Sequence, residues 1–442
     1  MKIQLSDHFS IGRLLRYSFP SIIMLVFTSI YSVVDGLFVS NVVGSNALSA
    51  INIISPVFMI VGAVGFMLGT GGSAEVSKTL GEGNTQKARE YFTNIILTVV
   101  ALGILLSILG VIFIRPLAYL VGASDLLIED CVIYGTIILS CSVFFMLQTT
   151  FQTFLIVAER PDLGMKLTIL AGCTNMVLDY LFVYVLGFGI AGAAWATMIG
   201  CALGGILPVF FFFSDKATKL RFVKTKFYPR TIARSCLNGS SEMVANFSMS
   251  FVTVLFNLAI MKLLGETGVA AYTAMLYVGF LFNAIYIGFV VGIAPIISYH
   301  YGAADNAELK SLLKKSLTVI GIFSVTMFTL SQILAVPVSR AFSGGNQDMI
   351  EILLHGFRIY AIAFLFSGLG IFGSAFFTAL CNGVVSAGLS FLRTLVLPTL
   401  LIISLPVFLG IQGVWLTLLI SEVIATTVTV TLILGMRKKY GY

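Results

Sequence analysis

Long apolar runs, broken by short clusters of glycine, proline, asparagine and charge, fill this chain from Leu14 almost to its end. About 20 apolar residues suffice to cross a hydrocarbon core of roughly 30 Å. Divided at its breaks, the pattern predicts membrane helices near 14–43, 47–77, 90–114, 131–157, 164–186, 190–213, 232–262, 268–299, 311–336, 352–380, 386–409 and 411–436. The first run is too long for a signal-peptide core and lacks a small-residue cleavage site, so it is expected to remain as the first span. The fold class that follows is an all-α membrane protein of twelve transmembrane helices.

The pattern also repeats. VVGSNALSA at 42–50 aligns with LLGETGVAA at 263–271, which places Gly44 on Gly265, an offset of 221 residues. The same offset places Gly81 on Gly302 in the polar breaks LGEGNTQKAR and YGAADNAELK, and Gly189 on Gly410 in the turns FGIAGAAWAT and LGIQGVWLT. One constant offset at three separate sites points to duplication. The expected domains are therefore an N-terminal six-helix lobe at 1–213, a linker at 214–231 and a C-terminal six-helix lobe at 232–442. Six spans per lobe give both the same orientation, so a pseudo-twofold axis along the membrane normal should relate them.

Composition agrees with a bilayer: 58% of the 442 residues are hydrophobic and only 10% charged, with a mean hydropathy of +1.03. Charge sets the orientation. If both termini share one side, all 26 Lys and Arg fall there except Arg115, Lys262, Arg340 and Arg358. The positive-inside rule then puts both termini and the linker in the cytoplasm of a multi-pass plasma-membrane protein. The formal charge of +7 is spread over short loops with no aromatic interleaving, so nucleic acid is not an expected partner. Six cysteines without a CxxC pair or a nearby histidine argue against disulfide and zinc frameworks.

Acids inside apolar runs are costly and mark function by default. Asp35 stands in IYSVVDGLFVS, nine residues before Gly44. Asn175 and Asp179 in CTNMVLDYLF are four apart and share a helix face. Asp179 and Thr197 lie nine residues either side of position 188 in the turn GFGIAG, so a hairpin brings them to one level, about 13 Å below the turn. Asp35 reaches a similar depth. Two carboxylates, an amide and a hydroxyl form an oxygen-rich set suited to Na⁺, and the two acids would also raise one another's proton affinity. At the 221-residue offset these four positions hold Phe256, Val396, Leu400 and Leu418. The second lobe has no copy, which favours function over architecture.

Other polar intruders are candidates too. Glu242 on the seventh span could contact a cationic substrate or take a proton, or simply face headgroups near the cytoplasmic end. Gln148 and Gln152, four apart, could line a substrate cavity or bond neighbouring helices. Glu75 and Glu422 read as helix-end acids. Pro20 removes a backbone donor within the first span and is a candidate hinge.

Taken together, Pro20, VDGLFVSNVVGSNALSA, GTGGSAEVSKTLGEGN, and AERPDLGMKLTILAGCTNMVLDYLF leading into GIAGAAWAT resemble the multidrug and toxic compound extrusion (MATE) family, over essentially the whole chain and with most similarity to its MepA-like branch. The resemblance implies expulsion of amphipathic, often cationic organic molecules through a V-shaped cleft between lobes, in exchange for Na⁺ or H⁺. It assigns Asp35, Asn175, Asp179 and Thr197 to the N-lobe cation cluster and Pro20 to first-helix bending. Branches that couple in the C-lobe use an acid on the tenth span, and GLGIFGSAFFTAL at 368–380 has none.

The expected function is thus secondary active antiport. The chain is expected to work as a monomer in the lipid bilayer, with no cofactor beyond the transported coupling ion. A lipid-linked oligosaccharide flippase is the alternative. That function needs basic residues in the cleft, where only Arg358 and Arg393 depart from the loops. A membrane-embedded enzyme is disfavoured by three scattered histidines without HExxH or GxSxG, and a receptor by the duplicated design.

Overall fold

The computed structural model describes residues 3–214, 219–343 and 346–442. Lys2, Lys216 and part of the 214–231 segment lie outside the described residues. The chain order is α1 (Ile11–Val42), α2 (Ser45–Gly81), α3 (Thr85–Ile112), α4 (Ile114–Leu120), α5 (Ile128–Ser140), α6 (Ser142–Val157), α7 (Pro161–Asp179) and α8 (Gly189–Phe213). Then come α9 (Pro229–Gly302), α10 (Asn306–Ser343), α11 (Gln347–Ala379), α12 (Gly383–Phe391), α13 (Leu397–Leu409) and α14 (Ile411–Tyr440). Two π-helical segments, Tyr180–Val185 and Leu392–Val396, follow α7 and α12. Asn84 and Asp305, 221 apart, each cap a helix, accepting from the backbone N–H of Lys87 at 3.1 Å and of Glu308 at 3.0 Å.

Among the described residues, ten helices are long and apolar enough to cross a membrane, eleven when α5 and α6 count as one span bent by 51°. The difference from the twelve segments read in the sequence has a physical cause. The segments 232–262 and 268–299 run together in α9, which is interrupted at Gly265 by φ 65° and ψ −157°. A straight helix of its 74 residues would extend about 110 Å, far beyond a bilayer, so Gly265 divides it into two arms.

The repeat reappears in backbone conformation. Positive φ occurs at Gly44 and Gly265, at Gly189 and Gly410, and at Gly83 and Ala304, every pair 221 apart. At the last pair a side chain stands in the left-handed region that glycine occupies in the first copy. Two aromatic-rich cores fill the halves: Phe92 packs against Phe154, Phe212 and Phe222 in the first, and Phe282 against Phe364 in the second.

Helices α2 and α9 meet along a seam of glycines. An added Cβ on Gly81 would strike the carbonyl oxygen of Tyr299, and one on Gly302 would strike that of Lys78. These contacts are reciprocal, because 299 is 78 moved by the repeat offset and 302 is 81 moved by the same amount. Gly71 and Gly239 likewise abut Ser235 and Met67. All these residues lie toward the ends of the helices that carry the basic loops.

The amino-terminal segment lies over that same side. The backbone N–H of Leu5 donates to Glu159 Oε1 at 2.9 Å and that of Phe9 to Glu308 Oε1 at 3.0 Å. His8 Nδ1 is 2.9 Å from Glu308 Oε2, and Lys315 Nζ donates to the Phe9 carbonyl. Leu5 and Phe9 are buried. The strap therefore ties the α6–α7 turn to the start of α10.

Candidate functional site

The four residues singled out in the first half of the chain come together. Asp35 projects from α1, Asn175 and Asp179 from α7, and Thr197 from α8. Asn175 Nδ2 donates to Thr197 Oγ1 at 3.4 Å, and the Thr197 hydroxyl donates to the Ala193 carbonyl at 3.0 Å. Asp35 and Asp179 face each other closely enough for one carboxyl, when protonated, to donate to the other. Asp179 is only 2% exposed. It stands at the entry to the π-helical segment Tyr180–Val185, a local widening of the helix of the kind that often marks functional sites.

What remains unpartnered defines the chemistry. Asp35 Oδ1, both carboxylate oxygens of Asp179 and Asn175 Oδ1 are buried without a hydrogen-bond donor. Buried acceptors left this way are expensive. Unsatisfied oxygens on adjacent residues, two acids among them, suit either a hard cation held by oxygen alone or a proton shared between the acids.

Two tyrosines escaped the sequence reading. Tyr31, one turn before Asp35, lies within electrostatic range of that acid, and Tyr134 on α5 within range of both Asp35 and Asp179. Tyr31 had a signal in its i,i+4 spacing to Asp35. Tyr134 had none, because only tertiary packing brings α5 to the site.

In the second half Phe256 replaces Asp35 and stacks on Tyr272 with ring centroids 5.2 Å apart. Phe256 lies in an apolar core against which Leu418 packs, whereas Leu400, the counterpart of Asp179, is exposed. Glu242 stands on the first arm of α9, one turn beyond Gly239, with no other described charge in range. Gln148 and Gln152 turn into the interior of the first half, lining a small cavity with Thr168, Gly204 and Pro208. Gln152 Nε2 donates to Thr168 Oγ1 at 3.1 Å. Helix α1 runs unbroken through Pro20, flanked by Ser18 and Ile22, against which Gly292 and Gly288 of α9 pack.

Glu422 corrects an expectation. It is no helix-end acid, since it lies eleven residues into α14, about 16 Å from its start. There Arg393 holds it in a close ion pair, Nη2 to Oε1 at 2.9 Å.

The MatE family model matches residues 20–181 and 243–403. The multidrug export protein MepA of Staphylococcus aureus is 20% identical over 431 residues, covering 96% of this chain and 94% of that protein. An FAD transporter of Shewanella oneidensis is 27% identical over 377 residues, covering 82% and 80%. The fold is shared with a solved outward-facing multidrug resistance MATE family transporter of the MOP superfamily, with a TM-score of 0.90 at 23% identity and coverage of 98% of this chain and 96% of that one.

Proposed function

This chain belongs to the MatE family, and from that membership we propose that it exports amphipathic, often cationic organic compounds by antiport against Na⁺ or H⁺. The observation that carries the coupling is the pair Asp35 and Asp179, the first half-buried and the second buried, beside Asn175 and Thr197, with acceptors unsatisfied and no fixed positive charge among them. Such a pair holds a cation or proton when loaded and is unfavourable when empty, which is the differential a coupled carrier needs.

The arrangement we assign is twelve spans in two six-helix lobes, 1–213 and 232–442, related by a pseudo-twofold axis along the membrane normal. It is supported by the reciprocal contacts of Gly81 and Gly302, the break at Gly265 and the bend between α5 and α6. With both termini cytoplasmic, the seam and the strap close the inner side of the plasma membrane. Binding of the outside cation at Asp35 and Asp179 then shifts α1 about Pro20 and weakens the hold on substrate. Substrate occupies the opening between lobes, where Glu242 is placed to meet a cationic group. Gln148 and Gln152 border the interior of the first lobe. No cofactor is required, and the monomer is the working unit.

Reconstitution in liposomes tests this reading, with efflux of ethidium followed under imposed Na⁺ or H⁺ gradients. Export driven by one gradient supports antiport and names the ion; no ethidium movement under either gradient in folded protein overturns it. FAD belongs in the same assay because of the Shewanella relative, and its transport in place of ethidium would change the substrate class to an anionic nucleotide.

Thr197→Val removes one oxygen and the acceptor for Asn175. A hydrogen bond between membrane helices is worth about 0.6 kcal/mol, so ion affinity should fall about threefold with the maximal rate retained. The ion concentration giving half-maximal efflux measures this.

The strap should respond to pH. The hydrogen bond and charge of Glu308 raise the His8 pKa above its usual value, aided by Asp305 and opposed by Lys315. Docking support is therefore complete below the ordinary histidine pKa of about 6.5 and is lost as pH rises through the raised value. Proteolysis at the strap should be faster at alkaline than at mildly acidic pH. His8→Ala should flatten that difference, and a persistent difference would refute the role of His8.

A further inference from the structure

Besides Glu242, the second half of the chain contains a largely covered acid, Glu422, that is already neutralised. Arg393 Nε lies 3.1 Å and 3.0 Å from the two carboxylate oxygens of Glu422, and Nη2 lies 2.9 Å from Oε1. The two side chains are 19% and 14% exposed. Arg393 sits within the π-helical segment Leu392–Val396, and Gly370 of α11 leaves room for the pair, since a Cβ there would press on Arg393 Cδ and Nε at 2.9 Å. Tyr286 on α9 and Tyr360 on α11 lie within electrostatic range of Glu422.

The repeat makes the comparison direct. At the 221-residue offset Arg393 and Glu422 fall on Gly172 and Cys201, on the helices α7 and α8 that carry Asn175, Asp179 and Thr197. Gly172 packs under Tyr31, one turn from Asp35. The first half thus has acids without a resident counter-charge, while the second has an acid with a tethered one. A guanidinium does not lose its proton in a protein, so it can neither leave nor be exchanged during a cycle.

We propose that Arg393 is a built-in cation that permanently occupies Glu422 and so withholds it from the ion coupling assigned to Asp35 and Asp179. This rests on the antiport reading above. The ion pair holds Glu422 at constant charge while the first lobe alternates between loaded and empty. Its removal should convert Glu422 into a second ion-responsive group.

The chain supplies its own reporter. It has two tryptophans: Trp195, exposed in the first half, and Trp415, buried against Gly356 in the second. Trp415 precedes Glu422 by seven residues, two turns on one helix face, about 10 Å away. In purified protein carrying Trp195→Phe, Arg393→Gln is expected to add a saturable change in Trp415 emission on addition of NaCl or acid, with choline chloride as the ionic-strength control. That added response should disappear in Arg393→Gln/Glu422→Gln. No added response in folded Arg393→Gln protein overturns the proposal.

Transport provides the second arm and stays decisive if the single variant fails to fold. Replacing a buried ion pair as a unit is often tolerated, so Arg393→Gln/Glu422→Gln should keep the same driving ion, with efflux within about threefold of the unmodified protein. Loss of ion-driven efflux in that double variant, once folded, would show that Glu422 takes part in coupling and would also overturn the proposal. Asp35→Asn in the same liposomes separates the two ideas. Normal ion-driven efflux there and in Asp179→Asn sinks the first-lobe coupling reading, whereas the fluorescence result judges Arg393 independently of it.

Discussion

Asp35→Asn and Asp179→Asn should each abolish ion-driven efflux while leaving the protein folded and able to bind substrate. Asparagine keeps the shape and one acceptor of aspartate but removes the charge and the capacity to take a proton. Taking one partner from a buried charged set costs on the order of 3 kcal/mol, about a hundredfold in ion affinity. A cation that no longer binds at its working concentration cannot drive the conformational shift. Equilibrium binding of ethidium should survive if the acids hold the coupling ion and not the substrate. Ion-driven efflux near the unmodified rate in both variants would end the coupling proposal, and loss of folding in both would return the acids to an architectural role.

That cluster was legible because hairpin arithmetic is rigid. Asp179 and Thr197 flank position 188 symmetrically, and helical rise fixes their common depth; Asn175 follows from the i,i+4 rule. The structure brings Asn175 to Thr197 and Asp35 to Asp179. Tyr134 was not legible, because no local pattern says which face of α5 turns toward α2 and α8. The break at Gly265 could be read from its alignment with Gly44. The 51° bend between α5 and α6 could not, since it falls at Ser140–Ser142, where neither proline nor glycine announces it.

The Arg393–Glu422 pair was missed for a different reason. Each residue was judged alone, Arg393 by the sidedness of basic residues and Glu422 by its place in a span, but they lie 29 positions apart and only the packing of α14 beside the π-helical segment joins them. The strap was hidden similarly. Its anchors, Glu159 and Glu308, are separated from Leu5 and Phe9 by 154 and 299 residues, and both look in sequence like ordinary loop acids.

Gly81→Val and Gly302→Val should each reduce efflux by about tenfold or more and open the cytoplasmic side. At both positions the added Cβ points at a carbonyl oxygen of the opposing helix, and backbone cannot step aside as a flexible side chain can. Forcing atoms into a packed contact typically costs 1–3 kcal/mol, which shifts a two-state equilibrium by roughly 5–150-fold. Only the state in which α2 and α9 touch bears the clash, so the shift favours separation at this end. Cys381 reads the opening, being only partly exposed and within electrostatic range of Glu75 and Lys78 of α2. In protein retaining Cys381 as its sole cysteine, maleimide labelling in inside-out vesicles should rise in both variants, while Gly321→Val, where a Cβ meets nothing within 4 Å, should leave labelling and efflux unchanged. Unaltered labelling and efflux in the two seam variants would show that these contacts do not form the inner closure. Because Gly81 and Gly302 exchange places under the repeat, the two should fail alike. The Asp35–Asp179 pair has no copy in the second half, so under the proposed antiport the seam would carry the symmetry of the motion and the asymmetric pair its direction.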